Sequence, residues 1–245
     1  MKFFKSTDLN SIKILSFDLD NTIYDCQSVL TKAENWFTDY LCDTFELGGK
    51  CREYRFWKDI KSEVLKADPS LSDDVTYLRA VSLVEAFKRL RMPLAGGIKQ
   101  AQELVELFIA KRSAGVIDDK VLKLLTDLHA KYPMFAISNG NLDKRVLKID
   151  SFFERDYRPQ IGTFRAKPHE DLFVQCARDN HVKIDEILHI GDDPLTDVCG
   201  AVNAGCRCAW VYRGYTGISD DEHHLRILPD ILLDNVLELE QLLLN

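Results

Sequence analysis

Ile12-Lys13-Ile14-Leu15-Ser16-Phe17-Asp18-Leu19-Asp20-Asn21-Thr22 is an apolar run that stops on two carboxylates. It reads as a strand buried on both faces, and the polar residues after it fall at its carboxyl end, where open α/β sheets hold their ligands. Residues two apart share a face in an extended chain, so Asp18 and Asp20 project together. Clustered carboxylates are costly unless a cation or a proton sits between them, and hard oxygen donors suit Mg²⁺.

Outward from this stretch, similar runs recur at Met134 to Ser138, Glu186 to Ile190, Arg207 to Tyr212 and Ile231 to Leu233. Helical periodicity separates them at Val121, Leu125 and Leu128, and at Leu172, Phe173, Cys176 and Ala177, and follows the last at Val236, Leu239 and Leu243. The alternation predicts an α/β fold with a parallel sheet flanked by helices. One region interrupts it. From Asp25 to about Lys111 no strand pattern appears, and two apolar helical faces stand out: Leu30, Ala33, Phe37, Tyr40 and Leu41, then Ala101, Leu104, Val105 and Phe108. Turn signals at Gly48-Gly49, Asp68-Pro69 and Pro93 to Gly97 cut this insert into about four helices.

Composition narrows the classes of function. The 46% apolar content supports a packed interior, so disorder is not the expectation. A net charge of −7 with mixed signs leaves no basic stripe for nucleic acid. No apolar run is long enough to span a membrane, and the polar start MKFFKSTDLNSIKIL does not resemble a secretory signal, which predicts a cytoplasmic protein. The seven cysteines show no Cys-x-x-Cys spacing and are expected as reduced, small hydrophobes, with a zinc site at Cys206 and Cys208 as the rival reading.

Three further groups could do chemistry. Ser138-Asn139-Gly140 closes the second apolar run with a hydroxyl, an amide and a glycine that lets backbone N–H groups approach an anion. Arg165-Ala166-Lys167-Pro168 sets a lysine before a proline able to start a helix from Glu170 to Asn180. Gly191-Asp192-Asp193-Pro194-Leu195-Thr196-Asp197 places more carboxylates after a strand.

Together and in this order, Asp18-x-Asp20-x-Thr22, Ser138-Asn139-Gly140, Lys167-Pro168 and Gly191-Asp192-Asp193-x₃-Asp197 resemble the four motifs of the haloacid-dehalogenase superfamily. The resemblance implies a Rossmann-like core at residues 1–24 and 112–245, with a helical cap at 25–111. It implies a Mg²⁺-dependent phosphatase acting on a small phosphate ester. Asp18 would be the nucleophile and Asp20 the general acid and base. Mg²⁺ would be held by the carboxylates of Asp18 and Asp192 and the backbone carbonyl of Asp20. Thr22, Ser138, Asn139 and Lys167 would hold the phosphate. Asp197 would support the metal site, with Asp193 as support or alternative ligand. Dehalogenases of this superfamily lack the second aspartate in this arrangement, so Asp20 favours a phosphatase. A phosphomutase, a broad-range sugar or nucleotide phosphatase and a non-enzymatic phosphate sensor are the alternatives, and nothing in the sequence sets an oligomeric state.

The segments from Ala67-Asp68-Pro69 to Asp74-Val75-Thr76-Tyr77-Leu78-Arg79, Ile187 to Asp193 and Cys208 to Val211 are similar to bacterial phosphatases of riboflavin synthesis. That similarity implies 5-amino-6-(5-phospho-D-ribitylamino)uracil as substrate, with flavin mononucleotide and small sugar phosphates as further candidates. Aromatic and basic side chains of the insert, such as Trp57, Tyr77 and Arg79, are the material for specificity, Arg79 being either a substrate contact or a structural salt bridge. His189 lies within its strand and is expected as a satisfied core histidine rather than a metal ligand, and His223-His224 as surface.

Overall fold

The computed structural model describes residues 1–212 and 227–244, so His223-His224 lies outside the described residues. The element order is β1 Lys2–Phe3, β2 Ile14–Phe17, α1 Cys26–Thr44, α2 Tyr54–Ala67, α3 Val75–Arg89, α4 Gly97–Arg112, α5 Asp119–His129, β3 Met134–Ile137, β4 Arg155–Tyr157, α6 Asp171–Asp179, β5 Ile187–Gly191, α7 Gly200–Ala204, β6 Arg207–Val211, β7 Ile231–Leu233 and α8 Leu239–Leu243. The strands form one sheet in the order β1-β7-β6-β5-β2-β3-β4. Every pairing is parallel except that of β1 with β7.

The central strands are buried throughout because helices cover both faces, and strand parity sorts their side chains into two layers. Leu15, Phe17, Met134, Ala136, Leu188, Ile190, Ala209 and Val211 pack with α5 and α8 on one side. Ile14, Phe135, Ile137, Ile187, Cys208 and Trp210 pack with α6 and α7 on the other. The insert builds a third core: α1 contributes Ala33, Phe37 and Leu41, and α4 contributes Ala101, Leu104, Val105 and Phe108. Four α-helices fill the insert, each preceded by a turn, and Asp25 and Asp74 cap α1 and α3 by accepting from the Ser28 and Tyr77 amides.

Two strands escape the sequence reading. β1 is two exposed residues, and β4 is Arg-Asp-Tyr at the opposite edge, where charge protects an unpaired ladder. All seven cysteines are free and buried. Among the described residues no helix is long and apolar enough to cross a membrane.

Candidate active site

β2 sits at the centre of the sheet between β5 and β3, and the Asp18 amide extends the ladder by donating to the Ile190 carbonyl at 2.8 Å. Beyond it the chain reverses at Asn21, whose left-handed φ of 59° suits an asparagine, and the Asn21 side chain accepts from the Cys26 amide at the start of α1. Asp18, Asp20 and Thr22 are thus gathered where the sheet passes into the helical insert.

Lys167 is the hub of the site. Its ammonium, almost wholly buried, donates to Asp18 Oδ1 at 2.9 Å, Asp197 Oδ1 at 2.6 Å and the Ile137 carbonyl at 2.6 Å, the carbonyl that ends β3. Burial works against its charge, but the two carboxylates more than offset this and raise its pKa. Asn139 fastens the lysine from outside, accepting from the Lys167 amide at 2.9 Å and donating to its carbonyl at 2.8 Å.

Asp197 has both oxygens engaged. Oδ1 meets Lys167 and, at 3.2 Å, His189 Nε2, while Oδ2 accepts from the Asp193 amide at 3.0 Å. Burial opposes its charge, and Lys167 and His189 together pull its pKa below the usual carboxylate range. His189 is fully buried, and burial pushes its pKa down, so the ring is neutral. The carboxylate can only accept, which puts the ring proton on Nε2 and leaves Nδ1 to accept from the Ser16 hydroxyl at 3.0 Å. The β2–β5 register, with Ser16 opposite His189, provides this contact. The core reading of His189 holds.

Asp18, Asp192 and Asp197 each offer an oxygen within 4.8 Å of the others. Burial, then the neighbouring carboxylates, raises Asp18 and Asp192 above their ordinary range, with Lys167 opposing at Asp18 and the Thr22 hydroxyl, 3.0 Å away, opposing at Asp192. Repelling, desolvated carboxylates with hard oxygen donors fit a divalent cation. Since both oxygens of Asp197 are already spoken for, Asp18 and Asp192 are the better donors, and Asp197 the better support. Asp193 Oδ1 caps the following helical turn by accepting from the Leu195 and Thr196 amides at 2.8 and 2.7 Å, a local task that ties up this oxygen.

Two glycines make room for this chemistry. A Cβ on Gly191 would lie 2.3 Å from Asp197 Cγ, and one on Gly140 would lie 2.6 Å from Asp20 Oδ2. Ser138 is buried beside them, its Oγ accepting from the Gly140 amide at 3.2 Å. The sequence reading placed Thr22 and Asn139 on substrate phosphate. Here their side chains hold Asp192 and the Lys167 backbone.

Comparison with known proteins follows the same lines. Residues 164–239 match the HAD-hydrolase-like family model. Over 243 residues, 99% of this chain and 100% of the relative, the chain is 28% identical to 5-amino-6-(5-phospho-D-ribitylamino)uracil phosphatase YigB of Escherichia coli K12. It is 23% identical to N-acylneuraminate-9-phosphatase of Mus musculus, over 96% of this chain and 95% of that one. Among solved structures, a 2-haloacid dehalogenase from Pseudomonas syringae pv. tomato DC3000 superposes with a TM-score of 0.78 at 26% identity, covering 95% of this chain and 98% of the other. These matches make the chain similar to phosphatases and hydrolases of the haloacid-dehalogenase type.

The sequence does not reveal two residues at Asp20. Arg112, the buried last residue of α4, places Nη2 2.8 Å from both Asp20 oxygens, and the Tyr24 hydroxyl donates to Asp20 Oδ1. Burial opposes the Arg112 charge, and Asp20 more than offsets it, raising the guanidinium pKa; burial and Asp20 together push the Tyr24 phenol far up. Ninety-two residues separate Arg112 from Asp20, beyond any local pattern, and an arginine in a helix's last turn reads as ordinary dipole pairing. Arg79 resolves as structural. It forks onto Glu34 at 2.5 and 2.9 Å and lies 3.7 Å from the Phe108 ring centroid.

Proposed function

We propose that the chain is a Mg²⁺-dependent phosphomonoester hydrolase working through an aspartyl-phosphate on Asp18. The observation that carries this reading is the Lys167 ammonium shared between Asp18 and Asp197, beside the cluster that includes Asp192. Lys167 occupies only Oδ1 of Asp18, which supports nucleophilic attack by the other oxygen on phosphorus. The ester bond breaks as the acyl phosphate forms, and Asp20 gives its proton to the departing alkoxide. Water then attacks the acyl phosphate, yields its proton to Asp20 and releases inorganic phosphate, restoring Asp18.

Asp18 and Asp192, with the Asp20 backbone carbonyl, would hold Mg²⁺, which when bound supplies charge neutralisation for the approaching phosphate. Thr22 keeps Asp192 oriented, and Asp197 with His189 keeps Lys167 in place. Ser138 and the backbone around Asn139 are the candidate donors to phosphate oxygens.

The full-length likeness to a relative named for 5-amino-6-(5-phospho-D-ribitylamino)uracil supports that ester as the substrate, with flavin mononucleotide and small sugar phosphates as alternatives. The helical insert at residues 25–111 is proposed as the cap that selects among them, in a cytoplasmic enzyme acting on free metabolites. A phosphatase assay over these esters, with Mg²⁺ and with chelator, tests the reading, 2-chloropropionate serving as the dehalogenase control. Release of phosphate that needs Mg²⁺ and vanishes in Asp18→Asn is expected. Metal-independent turnover, or halide release in place of phosphate release, would overturn it.

A further inference from the structure

The chain crosses between sheet and insert twice, and both crossings deliver a side chain to the same carboxylate. Tyr24 lies just before Asp25, the cap of α1, and Arg112 ends α4. Both are buried, whereas the Asp20 side chain between them is partly exposed. The guanidinium grips Asp20 through Nη2 alone, which also lies 3.3 Å from the Tyr24 hydroxyl and 3.3 Å from Cys26 Sγ. Among the described residues Nη1 is buried with no partner. An unpaired buried donor is costly, and a two-nitrogen fork is the stronger way to hold a carboxylate.

We propose that Arg112, assisted by Tyr24, is a positioning residue for Asp20, a clamp built from the two crossings that sets where the carboxylate stands and ties its orientation to the placement of the helical insert. The inference rests on the acid–base role proposed for Asp20. Arg112 touches no reacting atom in this account. Its whole effect passes through Asp20, so it should matter only where Asp20 matters.

The test is a double-mutant cycle on the full chain with Mg²⁺. Single-turnover phosphorylation is measured with an alkyl phosphate and with p-nitrophenyl phosphate, whose leaving group needs little protonation. Arg112→Met should slow the alkyl ester roughly ten- to hundred-fold, less than the ~10²–10⁴ that proton transfer itself is worth, with KM little changed and the nitrophenyl ester spared. Arg112→Lys should recover part of the loss. In an Asp20→Asn background, Arg112→Met should add nothing. Equal loss on both esters, or a loss that multiplies in the Asp20→Asn background, would make Arg112 a structural residue only. If Asp20→Asn discriminates between the esters and Arg112→Met does not, the positioning role alone fails. If Asp20→Asn itself shows no discrimination, the acid–base reading falls and the positioning role with it. Should Arg112→Met not fold, Tyr24→Phe, which removes one hydroxyl from the same clamp, decides the question in the same cycle.

Discussion

Replacing Lys167 by methionine keeps most of the side-chain volume and removes only the charge, so it isolates what the ammonium does for the fold. The structure loses three contacts at once, to Asp18, Asp197 and the Ile137 carbonyl, all buried. Removing one partner of a buried ion pair costs about 3–5 kcal/mol, because the other charge stays behind without compensation. Against a total of roughly 5–15 kcal/mol this is a large share. At about 2–4 °C per kcal/mol for a chain of this size, the melting temperature should fall by roughly 6–20 °C. Lys13 is the control, since it pairs with Glu186 at 2.8 Å with its side chain largely in solvent. Exposed pairs contribute only about 0–1 kcal/mol, so Lys13→Met should shift melting by less than about 4 °C. Calorimetry in chelator at pH 8.5, where the site carboxylates are ionised, reads the difference. At pH 5.5 the Lys167→Met penalty should shrink as protons take the place of the ammonium. Equal shifts for the two variants at pH 8.5 would refute the assignment of Lys167 as the counter-charge of the site.

Without metal, wild-type stability should fall as pH rises. Asp18 is raised to about 7 and Asp192 to about 8 by burial and mutual repulsion, against about 3.9 when unfolded. The folded state therefore holds more protons between about pH 4 and 8, and that contribution is lost as pH climbs through the folded values. Thermal melts in chelator should show this slope, Asp192→Asn should reduce it, and Mg²⁺ should flatten it; a slope unchanged by Mg²⁺ would remove the metal from this site. Arg79→Ala should cost stability and slow all esters alike, because Arg79 braces Glu34 and Phe108 inside the insert; a re-ranking of esters in a substrate panel would return it to substrate binding. Asp20→Asn should slow expulsion of alkyl leaving groups by roughly 10²-fold or more in single-turnover assays, and nitrophenolate far less.

Much of this was legible in the sequence, for physical reasons that also mark the limit. A strand covered on both faces must be apolar along its length, so β2, β3, β5 and β6 announce themselves, and the residues that end them fall together at one edge of the sheet. The insert's core positions Ala33, Phe37, Leu41, Ala101, Leu104, Val105 and Phe108 follow from helical period alone. β4 does not, because its stability comes from lying beside β3 and its own residues carry no pattern. What hydroxyls and amides do was likewise illegible. Thr22 and Asn139 occupy the expected motifs, yet which acceptor each satisfies depends on neighbours brought in by Asp192 and Lys167 from far along the chain. Arg112 is the extreme case, since a long-range buried pair leaves no trace in local periodicity.

The distribution of charge supports the proposed role of a divalent cation. Lys167 serves Asp18 and Asp197, and Arg112 serves Asp20, so among the described residues these cations are committed to carboxylates already there. Among the described residues Asp192 has the Thr22 hydroxyl and no cation. A phosphate ester adds further negative charge to a region where burial has removed the screening of water, and two like charges at close range in such surroundings repel by several kcal/mol. The lysine cannot absorb that charge without releasing Asp18. Under the proposed function the additional positive charge would come from a bound divalent cation, and Asp18 and Asp192 are the donors that would hold it.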